Sequence, residues 1–267
     1  MCRHLAYLGP PVSLRALLCD PPYSLLRQSW APRDMRGGGT INADGFGVGW
    51  YPREPAPGPR RGPDRPEAGP ARGGEPVRYR RGTPMWSDPT LPELAAATVS
   101  GAVLAAVRSA TVGMPVTDTA AAPFAGGRWL FSHNGVVRGW PDSVATIAAG
   151  LPVRDLLTLD APTDSALLWA LVRDRLRAGA SPAAAVADTV TAVAAAAPGS
   201  RLNLLLTDGA TVVASVAGHA LSVRTGADAV LVASEPLDDE PGWQAVPEGR
   251  LVVATAAGAR IDALAGA

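Results

Sequence analysis

The sequence contains no lysine. All 24 basic residues are arginine, so no lysine is available as a nucleophile or Schiff-base former. Acidic side chains also number 24, which leaves no global field to draw nucleic acid or a membrane surface. Cysteine is almost absent, with Cys2 and Cys19 alone and no CxxC spacing. His4, His133 and His219 are scattered, so no zinc-like ligand set exists and neither metal nor cofactor is expected. No phosphate-binding GK[ST] and no GxGxxG opening a helix occurs, so the glycine-rich run Asp44–Tyr51 is not expected to hold a nucleotide. Long apolar runs are missing too. The Ala-rich stretch Pro182–Ala197 is too short for a bilayer and carries Asp188. Arg3 and His4 come straight after Met1-Cys2, so no secretory apolar region is expected there. The expectation is a cytoplasmic protein with no membrane and no nucleic-acid partner.

What is present is enough chain, 267 residues, for a sizeable core. Cys2–Leu8 reads as a buried first strand, and Ser13 as the cap of a short helix ending before Asp20-Pro21-Pro22. Gly45–Tyr51 reads as a strand whose glycines permit close approach of a ligand or another strand. Pro52–Pro76 holds eight prolines and almost no apolar side chains. It cannot bury enough surface to order itself and is expected to be an exposed insertion between strands at Val48–Tyr51 and Val77–Arg81. Helices are expected at Pro92–Val99, Thr163–Ala178 and from Ser181-Pro182 to Pro198-Gly199. Strands are expected at Ala102–Arg108 and Trp129–His133, then at Leu202–Leu206, Thr211–Val216, Leu221–Thr225, Ala229–Ala233 and Leu251–Thr255. Strands, two helices, then more strands point to an α+β protein with antiparallel sheets and segregated helix layers.

Cys2 is the most informative residue. Removal of Met1 leaves a thiol and a free α-amine on one residue, and an α-amine titrates at roughly 7.7–8.0, where it serves as base to the thiol. Four other segments carry groups of the right chemistry. Arg108, opening Arg108–Gly113, suits a bidentate grip on a carboxylate or a surface ion pair. Asn134-Gly135 is either a turn or a pair of oxyanion donors. Thr163-Asp164 supplies either a helix cap or a carboxylate for a substrate ammonium. Asp44–Tyr51 is the fourth. His133 reads as a hydrogen-bonded core histidine.

Taken in order, Cys2, Asp44–Tyr51, Arg108–Gly113, Asn134-Gly135 and Thr163-Asp164 resemble the class II glutamine amidotransferases, which are N-terminal nucleophile (Ntn) hydrolases. The resemblance spans nearly all of residues 1–267 outside the insertion and implies one amidotransferase domain with a four-layer αββα sandwich. It implies that Cys2 attacks a γ-carbonyl while Asn134 and Gly135 hold the oxyanion. It further implies that Arg108 binds the substrate α-carboxylate, Asp164 its α-ammonium, and that Thr111 and Val112 line the same pocket. Val112 departs from the His found in many members. MCRHLAYLGP, RSATVGMPV, FSHNG, TDSALL and ASEPLDDEPGW are most similar to the branch that hydrolyses γ-glutamyl-hercynylcysteine S-oxide in ergothioneine biosynthesis. That branch implies a small γ-glutamyl substrate and no obligatory synthase partner. Competing implications are a glutaminase subunit feeding a separate synthase and a catalytically silent binding protein. The branch's substrate carries a trimethylammonium group, for which Trp30 and Trp86 are candidate contacts on the leaving-group side.

Overall fold

The computed structural model describes residues 2–34, 41–52 and 74–264. Most of the Pro/Gly/Arg-rich insertion, residues 53–73, lies outside them.

Two antiparallel sheets form the centre. The chain enters through β1 (Arg3–Ser13), then β2 (Phe46–Trp50), β3 (Val77–Arg81), β4 (Val99–Val107), β5 (Phe124–Gly126), β6 (Trp129–Val136) and β7 (Arg201–Thr207). It ends with β8 (Val212–Val216), β9 (Ser222–Thr225), β10 (Val230–Ala233), β11 (Trp243–Ala245), β12 (Arg250–Thr255) and β13 (Gly258–Ala263). One sheet has the order β11-β9-β10-β1-β4-β2-β3, the other β13-β12-β8-β7-β6-β5.

The strands are apolar runs buried on both faces, and the pleat sends successive side chains to opposite sides. In β1, Leu5 and Tyr7 pack toward one helix layer while Ala6 and Leu8 face the opposite sheet. In β7, Leu202, Leu204 and Leu206 pack toward the other helix layer and Leu205 faces inward. The first helix layer is α1 (Leu14–Leu18), α2 (Leu25–Gln28) and α3 (Leu91–Ala97). Beyond two short helices, α4 (Ala145–Ala148) and α5 (Val153–Leu157), the second layer is built by α6 (Asp164–Arg177) and α7 (Pro182–Ala196). The result is the αββα sandwich. Each fully buried Leu or Phe, such as Leu5, Leu104, Leu204 and Phe131, contributes roughly 1.5–3 kcal/mol of transfer free energy.

The expected caps are present. The Ser13 hydroxyl accepts from Ala16 N–H at 3.2 Å, and the Ser181 hydroxyl from Ala184 N–H at 3.2 Å. β2 and β3 pair as the hairpin that carries the insertion. A side chain at Gly47 would collide with the Ala122 carbonyl, so close contact between layers requires glycine there. The elements not anticipated are β5, β11, β13, α2, α4 and α5. The strands β5 and β11 have three residues each, and α2 and α4 four each, too few to display a period. β13 is an edge strand, and its alternate residues Ala259, Ile261 and Ala263 give only a weak apolar face, with Ile261 packed on the core. No described helix is long and apolar enough to cross a membrane.

Candidate active site

β1 brings Cys2 to the end of the sandwich. Its thiol donates to the Ser109 carbonyl at 3.7 Å. The buried Arg3 guanidinium caps the Cys2 carbonyl at 3.1 Å and also donates to the Asp34 carbonyl. Cys2 thus sits between the start of β1 and the loop after β4. Cys2, Arg108, His133 and Ser165 share a narrow cleft of about 20 Å³, room for roughly one water.

The Asp44–Gly45 segment holds the Arg108 end of β4. Asp44 N–H donates to the Arg108 carbonyl at 3.0 Å, Arg108 N–H to the Gly45 carbonyl at 2.8 Å, and the Asp44 carboxylate accepts from Ala110 N–H at 2.8 Å. The Arg108 guanidinium is almost wholly buried. It donates to the carbonyls of Pro115 at 2.8 Å and Asp44 at 3.4 Å, and no described carboxylate forms an ion pair with it.

Asn134-Gly135 is not a turn. Both residues lie inside β6, where Asn134 pairs with Asn203 and Gly135 with Leu202 of β7. A Cβ at Gly135 would collide with the Arg201 carbonyl, which explains the glycine. β5 pairs with β6 only as far as Phe131, so that edge of β6 is open from Ser132 onward. The Asn134 side chain is fully buried between the sheets and donates to the Ser234 hydroxyl at 3.3 Å.

The helix-start question resolves in favour of Thr163. Its hydroxyl accepts from Ala166 N–H at 3.2 Å and caps α6. The Asp164 carboxylate, buried in the first turn, accepts from Val137 N–H at 3.0 Å and from Ser165 N–H at 2.7 Å. It too has no ion-pair partner among the described residues. Ser165 joins it to His133, whose Nδ1 is 3.0 Å from the Ser165 hydroxyl and whose Nε2 is 3.0 Å from the Arg201 carbonyl. With both ring nitrogens engaged and the ring buried, His133 is a hydrogen-bonded part of the wall.

Thr111 and Val112 line a neighbouring cleft of about 450 Å³ with Val136, Val137 and Trp140. Val112 is fully exposed. Trp30 and Trp86 are half-exposed and meet each other edge to face at 5.9 Å, with the Arg27 guanidinium 5.6 Å from the Trp30 ring centre. Neither lines the cleft that holds Cys2.

Sequence reasoning missed Arg3, Ser165, Ser234 and Glu235. Glu235 is buried and its carboxylate accepts from the backbone N–H groups of Arg33 and Asp34, the latter at 2.8 Å. Glu235 stands two residues after β10, and its burial is visible only in the fold. Burial holds His4 neutral, its pKa lowered to about 3, with His133, His219 and Arg3 adding repulsion. His219 is likewise lowered to about 3, by burial and then by Arg201. Its Nε2 accepts from Arg201 Nε at 3.0 Å, which requires an unprotonated nitrogen.

The family described as "Glutamine amidotransferases class-II" matches residues 13–227 of the chain. The gamma-glutamyl-hercynylcysteine sulfoxide hydrolase of Mycobacterium tuberculosis is 39% identical over 264 residues, 99% of this chain and 97% of the relative. The protein of the same name from Mycolicibacterium smegmatis is 41% identical over 253 residues, 94% of this chain and 95% of the relative. Among solved structures, a glutamine aminotransferase class-II domain protein from Silicibacter pomeroyi superposes with a TM-score of 0.66 at 25% identity, covering 99% of this chain and 100% of that one. The glutamine phosphoribosylpyrophosphate amidotransferase of B. subtilis superposes with a TM-score of 0.62 at 15% identity, covering 99% of this chain and 49% of that one, a likeness of fold.

Proposed function

The chain belongs to the class II glutamine amidotransferase family, and on that premise we propose that it is a γ-glutamyl amidohydrolase acting through a Cys2 thioester. The proposed substrate is γ-glutamyl-hercynylcysteine sulfoxide, hydrolysed to glutamate and hercynylcysteine sulfoxide in ergothioneine biosynthesis. The substrate half of the reading is supported by two relatives of about 40% identity that carry this activity in their names and align over nearly the full chain. They also support action without an obligatory synthase partner.

One observation carries the glutamyl half. Arg108 and Asp164 are a buried cation and a buried anion, and neither has an ion-pair partner among the described residues. An unpaired buried charge is costly. The α-carboxylate and α-ammonium of a glutamyl group supply the two missing counter-charges. Thr111 and the Val112 backbone border this region on the loop after Arg108.

The chemistry follows from Cys2. With Met1 removed, the α-amine takes the thiol proton and Sγ attacks the γ-carbonyl carbon. The Asn134 amide and Gly135 N–H stabilise the oxyanion. The proton passes to the leaving nitrogen as the C–N bond breaks. Water then attacks the thioester, the S–C bond breaks, and glutamate leaves with the thiol restored. The narrow cleft around Cys2 must widen to admit the glutamyl chain. A diazo-ketone analogue of glutamine tests the reading: it should label Cys2 and spare Cys19, and labelling at Cys19 would count against it.

A further inference from the structure

Ser234 follows β10 in the seven-stranded sheet, yet its hydroxyl reaches the six-stranded one. The oxygen accepts from His4 N–H at 3.0 Å, donates to the His4 carbonyl at 3.2 Å, and accepts from Asn134 Nδ2 at 3.3 Å. A hydroxyl has one proton and two lone pairs. All three are used.

The consequences are geometric. His4 stands two residues after Cys2 on β1, and Asn134 lies on β6. One buried oxygen therefore ties the strand that carries the nucleophile to the strand that carries the amide. It also sets the amide's orientation. In the arrangement seen, one Nδ2 proton is held by Ser234 and the second points away from it. Turning the amide over would bring Oδ1 against the Ser234 oxygen. It would also compete with His4 for the one hydroxyl proton. The Asn134 Oδ1 is buried and has no hydrogen-bond partner among the described residues, which is uncommon for a buried amide oxygen.

We propose that Ser234 is a positioning residue for the oxyanion donor: it fixes the Asn134 amide with one N–H free and sets that N–H relative to Cys2. The proposal rests on the reading that Asn134 donates to the oxyanion. Its contribution should appear where negative charge develops, in kcat, and not in the binding of the glutamyl group.

Steady-state glutamate release by wild type, Ser234→Ala, Ser234→Thr, Asn134→Ala and the double Ala variant tests it. Ser234→Ala should lose roughly ten- to hundredfold in kcat, part of the 10²–10³ that one oxyanion donor carries, with KM changed less than about twofold. Ser234→Thr, which keeps the hydroxyl, should recover most of it. In the Asn134→Ala background, Ser234→Ala should cost nothing further, because the residue acts through the amide. Multiplied losses in the double variant, or a wild-type kcat for Ser234→Ala, would overturn the proposal. Should Asn134→Ala keep wild-type kcat, the oxyanion reading fails instead. The holding of the amide is then read separately by NMR, without any variant that might not fold. In wild type the two Asn134 side-chain protons should be distinct and one of them slow to exchange with water. A pair exchanging at the rate of a free amide would contradict it.

Discussion

The Cys2 thiol points at the Ser109 carbonyl, 3.7 Å away, and Ser109 directly follows Arg108. Nucleophile and proposed carboxylate anchor are thereby set on adjoining strands, since Arg3 pairs with Val107 across β1 and β4. Cys2→Ala should abolish glutamate release without loss of fold, because the thiol is used for chemistry and little area is removed. Cys19→Ala should keep activity: burial and Asp20 push the Cys19 thiol up, away from reactivity. Turnover by Cys2→Ala would sink the thioester mechanism. Intact-mass measurement of the protein should show Met1 removed, since a retained Met1 leaves Cys2 without its amine.

Arg108→Ala and Asp164→Ala should each weaken kcat/KM by about 2–5 kcal/mol, by analogy with truncation of one member of a buried charge pair. Near-wild-type kinetics for Asp164→Ala would reduce that residue to a tie between α6 and Val137.

Stability should depend on the buried histidines. His4 and His219 have folded pKa values near 3, below the ordinary 6.5. The unfolded chain therefore takes up protons that the fold does not as pH drops below 6.5. Their stabilisation is complete above about pH 6.5 and is lost progressively toward pH 3, at a slope approaching ~1.4 kcal/mol per pH unit per histidine. Urea unfolding between pH 6.5 and 4.5, before most carboxylates protonate, should show this fall. His219→Gln, which keeps an acceptor for Arg201 and removes the titration, should flatten the slope. An unchanged slope would mean that His219 is not held neutral.

Much of the sandwich was legible because β1, β4 and β7 are short apolar runs bounded by turn signals, as strands buried on both faces are. Ser13, Thr163 and Ser181 announced their helices through hydroxyls placed before apolar runs. Asn134-Gly135 was ambiguous, because a turn and a buried strand use the same dipeptide. The pairing of both residues with β7 separates the two, and the Arg201 carbonyl, which excludes a side chain at 135, explains the glycine. Ser234 was illegible for a simpler reason. Its partners lie 230 and 100 residues away, and nothing local to a serine after a strand reveals contacts across two sheets.

The Trp30–Trp86 pair is proposed to border the path of the cationic leaving group. On that basis Trp30→Leu or Trp86→Leu should raise KM for the trimethylammonium substrate by roughly two- to thirtyfold, the range of one aromatic contact of about 0.5–2 kcal/mol. Hydrolysis of a γ-glutamyl anilide should be unchanged. Trp243 is the informative comparison, since it lines a cleft of about 570 Å³ with Asp34, Glu235 and Glu240. An effect confined to Trp243→Leu would move the cation to that acidic cleft.

The most direct test compares glutamate release from γ-glutamyl-hercynylcysteine sulfoxide and from free glutamine at equal concentration, with the purified chain alone. A γ-glutamyl hydrolase of this substrate should show kcat/KM at least about a hundredfold higher for the sulfoxide, the scale of about 2.7 kcal/mol of discrimination. Equal or faster release from glutamine, rising further when a synthase is added, would contradict the account and make the chain an ammonia-supplying subunit.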